Sequence, residues 1–367
     1  MNITLETNIE QTARVMQVQG MFDIKPKKTE KTIIENNLFE LDKFEWNIGL
    51  IVGASGSGKS TIGKELFKEM YDPKTKWNNK ALIDNFDSTT SLKEIIETLT
   101  SVGLSSPPMW LRPYETLSNG EKFRANTAKL LLEHKQMLAI DEFTSVVDRT
   151  VAQIASCAIA KTVRKRNQKL VAISCHYDII EWLQPDWIYE PQSGQFTRRS
   201  LQRRPNIAAT IIKVDKEAWH LFSRHHYLDH NLNRSAQCYL ASINNIPAVF
   251  VAILPLPHPH LKHAYRVSRI VTMPDFQGIG IGTTVLNEIA SGYKSQNKTI
   301  YITTSHPSMI RSLNKNKNWH MNRKPSRIRT PGQTSQMPWL IKSNSAARMT
   351  TSFAYCGQQN NSASKLI

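Results

Sequence analysis

Gly53-Ala-Ser-Gly-Ser-Gly58-Lys59-Ser60 is the stretch on which the reading of this chain turns. It matches GxxxxGK[ST] in full. An apolar run, Ile48 to Val52, leads into it, and a helical pattern (Ile62, Leu66, Phe67, Met70) leads out. Glycines let backbone N–H groups converge on a phosphate that side chains would keep away, and the helix start adds partial positive charge. The pattern therefore predicts that Gly53, Ser55, Gly56, Ser57, Gly58 and Thr61 cradle a polyphosphate. Lys59 would reach the β- and γ-phosphates of ATP, and the Ser60 hydroxyl would ligate Mg²⁺.

Working outward, Leu117-Ser-Asn-Gly-Glu121 opens a segment with Phe123, Ala128, Leu131 and Leu132 at helical spacing. Met137 to Ile140 is an apolar run ending in Asp141 and Glu142. There Asp141 suits Mg²⁺ coordination and Glu142 suits polarising an attacking water. Ser145 to Asp148 follows, and His176 stands just after the apolar run Leu170 to Ser174.

In this order the motifs resemble those of the ABC-type ATPases: Walker A, an LSGGQ-like signature, Walker B with its glutamate, a D-loop and a switch histidine. The resemblance covers roughly residues 1–195. It implies an ATP-dependent homodimer in which Ser118, Asn119, Gly120 and Glu121 of one protomer cap the nucleotide held by Lys59 of the other. Asp148 would cross that interface and His176 would touch the γ-phosphate. Two departures stand out. Asn119 takes a place where glycine is usual, and no Q-loop glutamine follows the expected strand Ala81–Ile83, where Asn85 and Asp87 stand instead. The second departure implies slow turnover. Only 58 residues (59–116) separate Gly58 from Leu117, which leaves no room for a long coiled coil.

The chain is 367 residues long, comfortable for two domains. With 40% apolar and 21% charged residues it can form a packed core, which excludes wholesale disorder. No apolar run reaches the roughly 18–20 residues of a bilayer span. The polar, acidic N-terminus reads as neither a secretory nor a transit peptide. Four cysteines without a CxxC pair argue against a disulfide framework or zinc knuckle. A cytoplasmic protein without a membrane partner is the expectation.

Charge divides the chain in two. Residues 1–200 hold 26 basic and 25 acidic residues, whereas residues 201–367 hold 21 and 5. Nearly the whole net charge of +17 thus lies in the second half, where it would attract a polyanion such as nucleic acid. A solubility bias or attraction to an anionic cofactor is the alternative. The expected organisation is an ATPase domain at 1–197, with small antiparallel strands in 1–45 where apolar and polar positions alternate (Ile3, Leu5; Val15, Gln17, Met21), a basic linker at 198–206, a second domain at 207–357 and a polar tail at 358–367.

In that second domain, strands are expected near 208–214, 236–243, 247–254, 264–273 and 299–304. Arg269-Ile-Val-Thr-Met-Pro274-Asp-Phe-Gln277-Gly-Ile-Gly280-Ile-Gly282 puts a strand and a proline before QxxGxG at the start of a helix (Val285, Leu286, Ile289). The physics repeats that of the first loop: unhindered amides at a helix start can bind a diphosphate. This segment resembles motif A of the GNAT acetyltransferases, over about residues 207–357. The resemblance implies acetyl-CoA, or another acyl-CoA, bound by the amides of Gln277, Gly278, Ile279, Gly280, Ile281, Gly282 and Thr283 beside a splayed pair of strands. The fold class expected is thus α/β: an N-terminal ABC-type P-loop ATPase domain, then an α+β GNAT-like domain.

Phe222-Ser-Arg-His225-His226-Tyr227, the strand Ala236–Ala241 and Ser352 to Gly357 further resemble the Mom branch of that fold, phage enzymes that modify DNA bases. His226 and Tyr227 are candidates for a general base and a hydroxyl near the acceptor amine, and His306 for a place in the active cleft. Trp319, Arg323, Lys324, Arg327 and Arg329 read as a basic segment with an aromatic for stacking, or as a solvated basic loop. Two further readings stay open: an acceptor in tRNA rather than DNA, and a regulator whose transferase domain only binds nucleic acid.

Overall fold

The computed structural model describes residues 2–22, 24, 29–35, 41–67, 70–71, 75–199, 207–226, 230–258, 260–327, 349–360 and 363. In chain order the first half forms β1 (Asn2–Asn8), α1 (Ala13–Met21), β2 (Thr29–Glu35), β3 (Ile48–Val52), α2 (Lys59–Leu66), β4 (Met70–Tyr71), α3 (Leu92–Ser101), α4 (Pro107–Trp110), α5 (Asn119–Glu133), β5 (Met137–Ile140), α6 (Arg149–Arg166), β6 (Lys169–Ser174), α7 (Ile179–Leu183), β7 (Trp187–Glu190) and β8 (Gln195–Arg198). The second half adds β9 (Thr210–Val214), α8 (Trp219–Ser223), β10 (Gln237–Ile243), β11 (Ile246–Pro255), β12 (Ala264–Thr272), α9 (Ile281–Ser295), β13 (Thr299–Thr304), α10 (Pro307–Lys315), β14 (Trp319–Arg327) and β15 (Met349–Tyr355).

These elements fall into two compact units, and the division does not follow the chain. One unit is Met1–Lys76, Glu133–Val147 and Ile159–Arg204. The other joins Trp77–Leu132 and Asp148–Ala158 to Pro205–Ile367.

The first unit is built on a six-stranded sheet in the order β4-β5-β6-β3-β7-β8. All neighbours pair in parallel except β7 with β8. A parallel sheet is covered on both faces, so its strands read as continuous apolar runs. Ile48–Val52 is buried at every position, and Leu170–Ser174 likewise. A second core patch forms where Trp187 meets Trp46 edge-on at 5.5 Å, with Phe67 stacked at 6.5 Å. β1 and β2 pair antiparallel, as the alternation near Ile3 and Leu5 predicts. Residues 13–21, expected as strand, are helix: the Thr12 side chain accepts from Val15 N at 3.3 Å and caps the first turn.

In the second unit, α3 starts at Ser91, whose hydroxyl accepts from Glu94 N at 3.2 Å, and buries Ile95, Thr98 and Leu99. The expected strand Ala81–Ile83 is absent. The Asn85 side chain accepts from Asn78 N at 2.6 Å and donates to Ala81 O at 3.0 Å, closing a 3-10 turn over Leu82–Asn85.

The larger part of this unit is a seven-stranded sheet in the order β14-β15-β13-β12-β11-β10-β9. It is antiparallel throughout except between β12 and β13, which pair in parallel over only Ala264–Arg266 and Thr299–Tyr301. The ladder register also shifts where Ala252 and Ile253 face Arg269 and Val267. β12 and β13 thus pair only at their starts, and α9 covers them with Val285, Leu286, Ile289, Ala290 and Tyr293 buried. The basic segment from Lys315 is a correction to the sequence reading. Residues 319–327 form β14, and Trp319 is 5% exposed, donating Nε1–H to Asn287 Oδ1 at 2.6 Å. Its ring sits edge-on to Tyr355 and is not free to stack on a base. Arg329 lies outside the described residues.

Candidate functional site

Two helix N-termini are built alike. Gly58 caps α2 at φ 83°, ψ 8°, and Gly280 caps α9 at φ 89°, ψ 10°; neither cap has a side-chain hydrogen bond. Both lie in the left-handed region that glycine enters without strain. Each leaves the first amides of its helix without the usual serine or aspartate cap, facing outward for an anion.

In the first unit, the loop after β3 lines a cavity of about 1030 Å³ with Ser55, Gly56, Ser57, Gly58, Lys59, Ser60 and Thr61. Asp141, Glu142, Ser145, Ser174 and Cys175 line it from the carboxyl ends of β5 and β6, where parallel sheets place their ligands. Pro191–Gly194, the turn between β7 and β8, completes the wall. Lys59 Nζ donates to Ala54 O at 2.7 Å, folded back on its own loop. Ser57 Oγ is buried without a partner among the described residues, and a Cβ on Gly56 would meet nothing within 4 Å. An open loop with an orphaned hydroxyl and a retracted lysine fits a polyphosphate. Asp141 Oδ1 accepts from Glu142 N at 2.9 Å, and Glu142 holds φ 50°. Left-handed backbone at a non-glycine residue stores strain and aims the Glu142 side chain. The Ser60 hydroxyl and the Asp141 carboxylate form a hard oxygen set suited to Mg²⁺. His176 stands one residue beyond Cys175, its N–H donating to Ser174 Oγ at 3.2 Å.

In the second unit, Ser118 and Glu121 form a capping box at the start of α5. Glu121 Oε2 accepts from Ser118 N at 2.8 Å, and Ser118 Oγ accepts from Glu121 N at 3.4 Å. Glu121, expected to contact nucleotide, is thus buried and engaged in the cap, while Ser118 and Asn119 are exposed. Asp148 Oδ1 caps α6 by accepting from Thr150 N at 3.0 Å and Val151 N at 3.1 Å.

The QxxGxG loop has two faces. Its second half is open: Gly280 is exposed, and a Cβ there would meet nothing within 4 Å. The cradle at Gly280–Thr283 therefore fits a diphosphate. The first half is covered by the segment between α3 and α4. Gln277 Oε1 accepts from Ser105 N at 2.8 Å and Ser105 Oγ at 2.6 Å, and its Nε2 donates to Thr272 O at 3.0 Å. Gly278 (φ 92°) faces Gly103 (φ 96°) so closely that a Cβ on Gly278 would lie 2.9 Å from Gly103 Cα.

His306 lies just past β13, as expected, but its ring is occupied. Nε2–H donates to Ser105 O at 2.8 Å, and Nδ1 accepts from Ser308 Oγ at 2.8 Å. Burial lowers its pKa below 6.5, only partly offset by the bond to Ser105. His226 is buried and edge-on to Trp219 at 5.7 Å; Tyr227 lies outside the described residues. His225, not singled out by sequence, has its pKa lowered by burial and by Arg224. Its Nδ1 is buried without a partner among the described residues, while Arg224 Nε donates to Nε2 at 3.1 Å. Sequence also gave no sign of Arg124, Gly103 and Ser105, each of which meets residues of 274–278 that lie 150 residues or more away along the chain. A lone arginine after a signature motif carries no such signal.

No helix among the described residues is long and apolar enough to cross a membrane. No family model matches the chain, and no curated protein does. Solved structures do show similarity, in two groups. CbiO1 from Clostridium perfringens, part of the ABC transporter complex CbiONQ, is 15% identical over 47% of this chain and 81% of its own, at a TM-score of 0.36. A bacterial Atm1-family ABC exporter with ATP bound is 18% identical over 45% and 33%, at 0.34. The ribosomal-protein-S18-alanine N-acetyltransferase from Escherichia coli is 14% identical over 40% of this chain and 93% of its own, at 0.30. The chain is a mixed α/β protein whose structural neighbours are ABC ATPases on one side and a GNAT acetyltransferase on the other.

Proposed function

We propose that this chain is an ATP-hydrolysing, ABC-type dimer whose second half transfers an acyl group from acyl-CoA to an amine on nucleic acid, with a DNA base favoured over tRNA. The observation that carries the reading is the matched pair of glycine-capped helix starts, one opening into a cavity with two carboxylates and the other beside two strands that pair only at their starts.

In the ATPase, the amides of Gly56–Thr61 and Lys59 would hold the triphosphate, Ser60 and Asp141 would hold Mg²⁺, which would neutralise phosphate charge, and Glu142 would orient water for in-line attack. Ser118 and Gly120 of one protomer approach the phosphate held by Lys59 of the partner subunit. Asp148 lies in that interface, and His176 meets the γ-phosphate. In the transferase, the amides of Ile279–Thr283 hold the diphosphate, and acyl-CoA supplies an activated thioester. The acceptor amine forms the new C–N bond as the C–S bond breaks. A base must take the amine proton, and the leaving sulfur takes up one in turn. His226 and Tyr227 are the sequence candidates; His306 can serve only once its bond to Ser105 opens. A base in duplex DNA must leave the stack to reach such a cleft. The +16 charge of residues 201–367 supports the choice of nucleic acid.

Incubation with duplex DNA, tRNA, ATP and labelled acetyl-CoA tests the reading. Label on DNA supports it, label on tRNA alone shifts the acceptor, and label on protein alone rejects nucleic acid as substrate. The occupied His306 ring favours one second reading, a transferase domain that binds nucleic acid without catalysis. Under it, acetyl-CoA leaves the melting temperature unchanged.

A further inference from the structure

Arg124 is the largest charged side chain buried among the described residues, at 1% exposure, and it stands in the helix that begins with the signature motif. Its Nη1 donates to Gly103 O at 2.8 Å and to Pro274 O; its Nη2 donates to Asp275 O at 2.6 Å. One guanidinium thus ties the signature helix to the chain before α4 and to the turn that enters the QxxGxG loop. Nε is buried with no partner among the described residues, so the two terminal nitrogens carry these hydrogen bonds.

The surroundings tie in both ATPase motifs. The charges that act on Arg124 come from Asp275 at the acyl-CoA loop, Glu121 of the signature and Asp148 of the D-loop. Burial still dominates and pulls its pKa down to about 10, while burial raises that of Asp275 despite the arginine. A buried charge held by three carbonyls on two segments resists displacement, because breaking any one bond leaves it under-compensated. The signature glycine adjoins the same turn. A Cβ on Gly120 would lie 3.5 Å from Asp275 Oδ1 and 2.9 Å from Val151 Cγ1. Around this centre, Ser105 bonds Gln277 and His306, and Arg311 donates to Glu97 at 2.5 Å.

We infer that Arg124 is a positioning residue for the acyl-CoA loop: it joins Pro274–Gln277 to the signature helix, so that nucleotide engaged at the signature motif changes the affinity for acyl-CoA. This rests on the ATPase and acyl-CoA reading above. A ligand that shifts the signature helix must shift the carbonyls that Arg124 holds, or break those bonds. By linkage the coupling is reciprocal.

The test is titration calorimetry of the full chain with acetyl-CoA, with and without saturating AMP-PNP and Mg²⁺. The wild type should change its acetyl-CoA affinity by about fivefold or more, and AMP-PNP affinity should respond to acetyl-CoA by the same factor. Arg124→Lys keeps the charge but loses the planar fork that serves several carbonyls at once. It should still bind acetyl-CoA, with the nucleotide effect reduced below twofold. If Arg124→Lys fails to fold, as judged by melting, Ser105→Ala takes its place, and there too the nucleotide effect should shrink. Acetyl-CoA binding that ignores nucleotide in the wild type overturns the coupling alone, as does full coupling in both variants. No acetyl-CoA binding in the wild type removes the transferase reading and this inference together.

Discussion

Replacing Gly278 by alanine tests the close approach between the QxxGxG loop and the segment that joins α3 to α4, and Gly280→Ala supplies its control. The two positions share nearly the same backbone, φ 92° and 89°, so each substitution carries the same left-handed strain of about 1–2 kcal/mol. Their surroundings differ. At Gly278 the new methyl would lie 2.8 Å from Ala158 Cβ, 2.9 Å from Gly103 Cα and 3.0 Å from Gly103 N. Two of those atoms are backbone and cannot turn aside. At Gly280 nothing lies within 4 Å. Overpacking of this kind costs about 1–3 kcal/mol, which only Gly278→Ala incurs. In a unit of this size each kcal/mol shifts the melting temperature by about 2–4 °C. Gly278→Ala should therefore melt about 2–12 °C below Gly280→Ala when both are followed by differential scanning calorimetry. Equal melting temperatures for the two variants would refute the packing of Gly278 on Gly103.

Three further outcomes are expected. Lys59→Ala should abolish ATP binding by calorimetry, whereas Glu142→Gln should bind ATP, lose at least about 100-fold in hydrolysis and accumulate as a dimer in light scattering. Glu121→Ala breaks the capping box and should cost about 1 kcal/mol in urea unfolding, while Glu121→Gln, which can still reach Ser118 N, should cost little. Stability should fall with pH below 6.5. Burial depresses the folded-state pKa of His306, so above 6.5 both states are neutral, and below it the unfolded chain takes the proton first. His306→Gln, which keeps a donor for Ser105 O, should narrow the gap between urea midpoints at pH 7.5 and 5.5.

Much of the architecture was legible because its signals are local. Ile48–Val52, Met137–Ile140 and Thr299–Thr304 are strands over the very residues that their apolar runs mark. The two phosphate-type loops end in helices at Lys59 and Ile281, where unhindered amides demand them. The failures share a cause, which is competition from contacts that the periodicity does not record. Residues 13–21 alternate well enough for a strand, yet a Thr12 cap starts a helix. Ala81–Ile83 is apolar, but the Asn85 side chain captures its backbone into a 3-10 turn. Trp319 sits in a basic run and still fills the core, because Asn287 on α9 accepts its indole N–H. Gly103, Ser105 and Arg124 were illegible in principle: each is ordinary in its own neighbourhood and acquires meaning only when folding brings 274–278 beside it.

The most direct test of the whole account is the heat of binding of two ligands to one preparation of the full chain. ATP with Mg²⁺ and acetyl-CoA should each give a saturable isotherm. Lys59→Ala should erase the first while leaving the second measurable. Silence toward both ligands would contradict the reading of the two glycine-capped helix starts, and heat from ATP alone would leave the second half without its proposed chemistry.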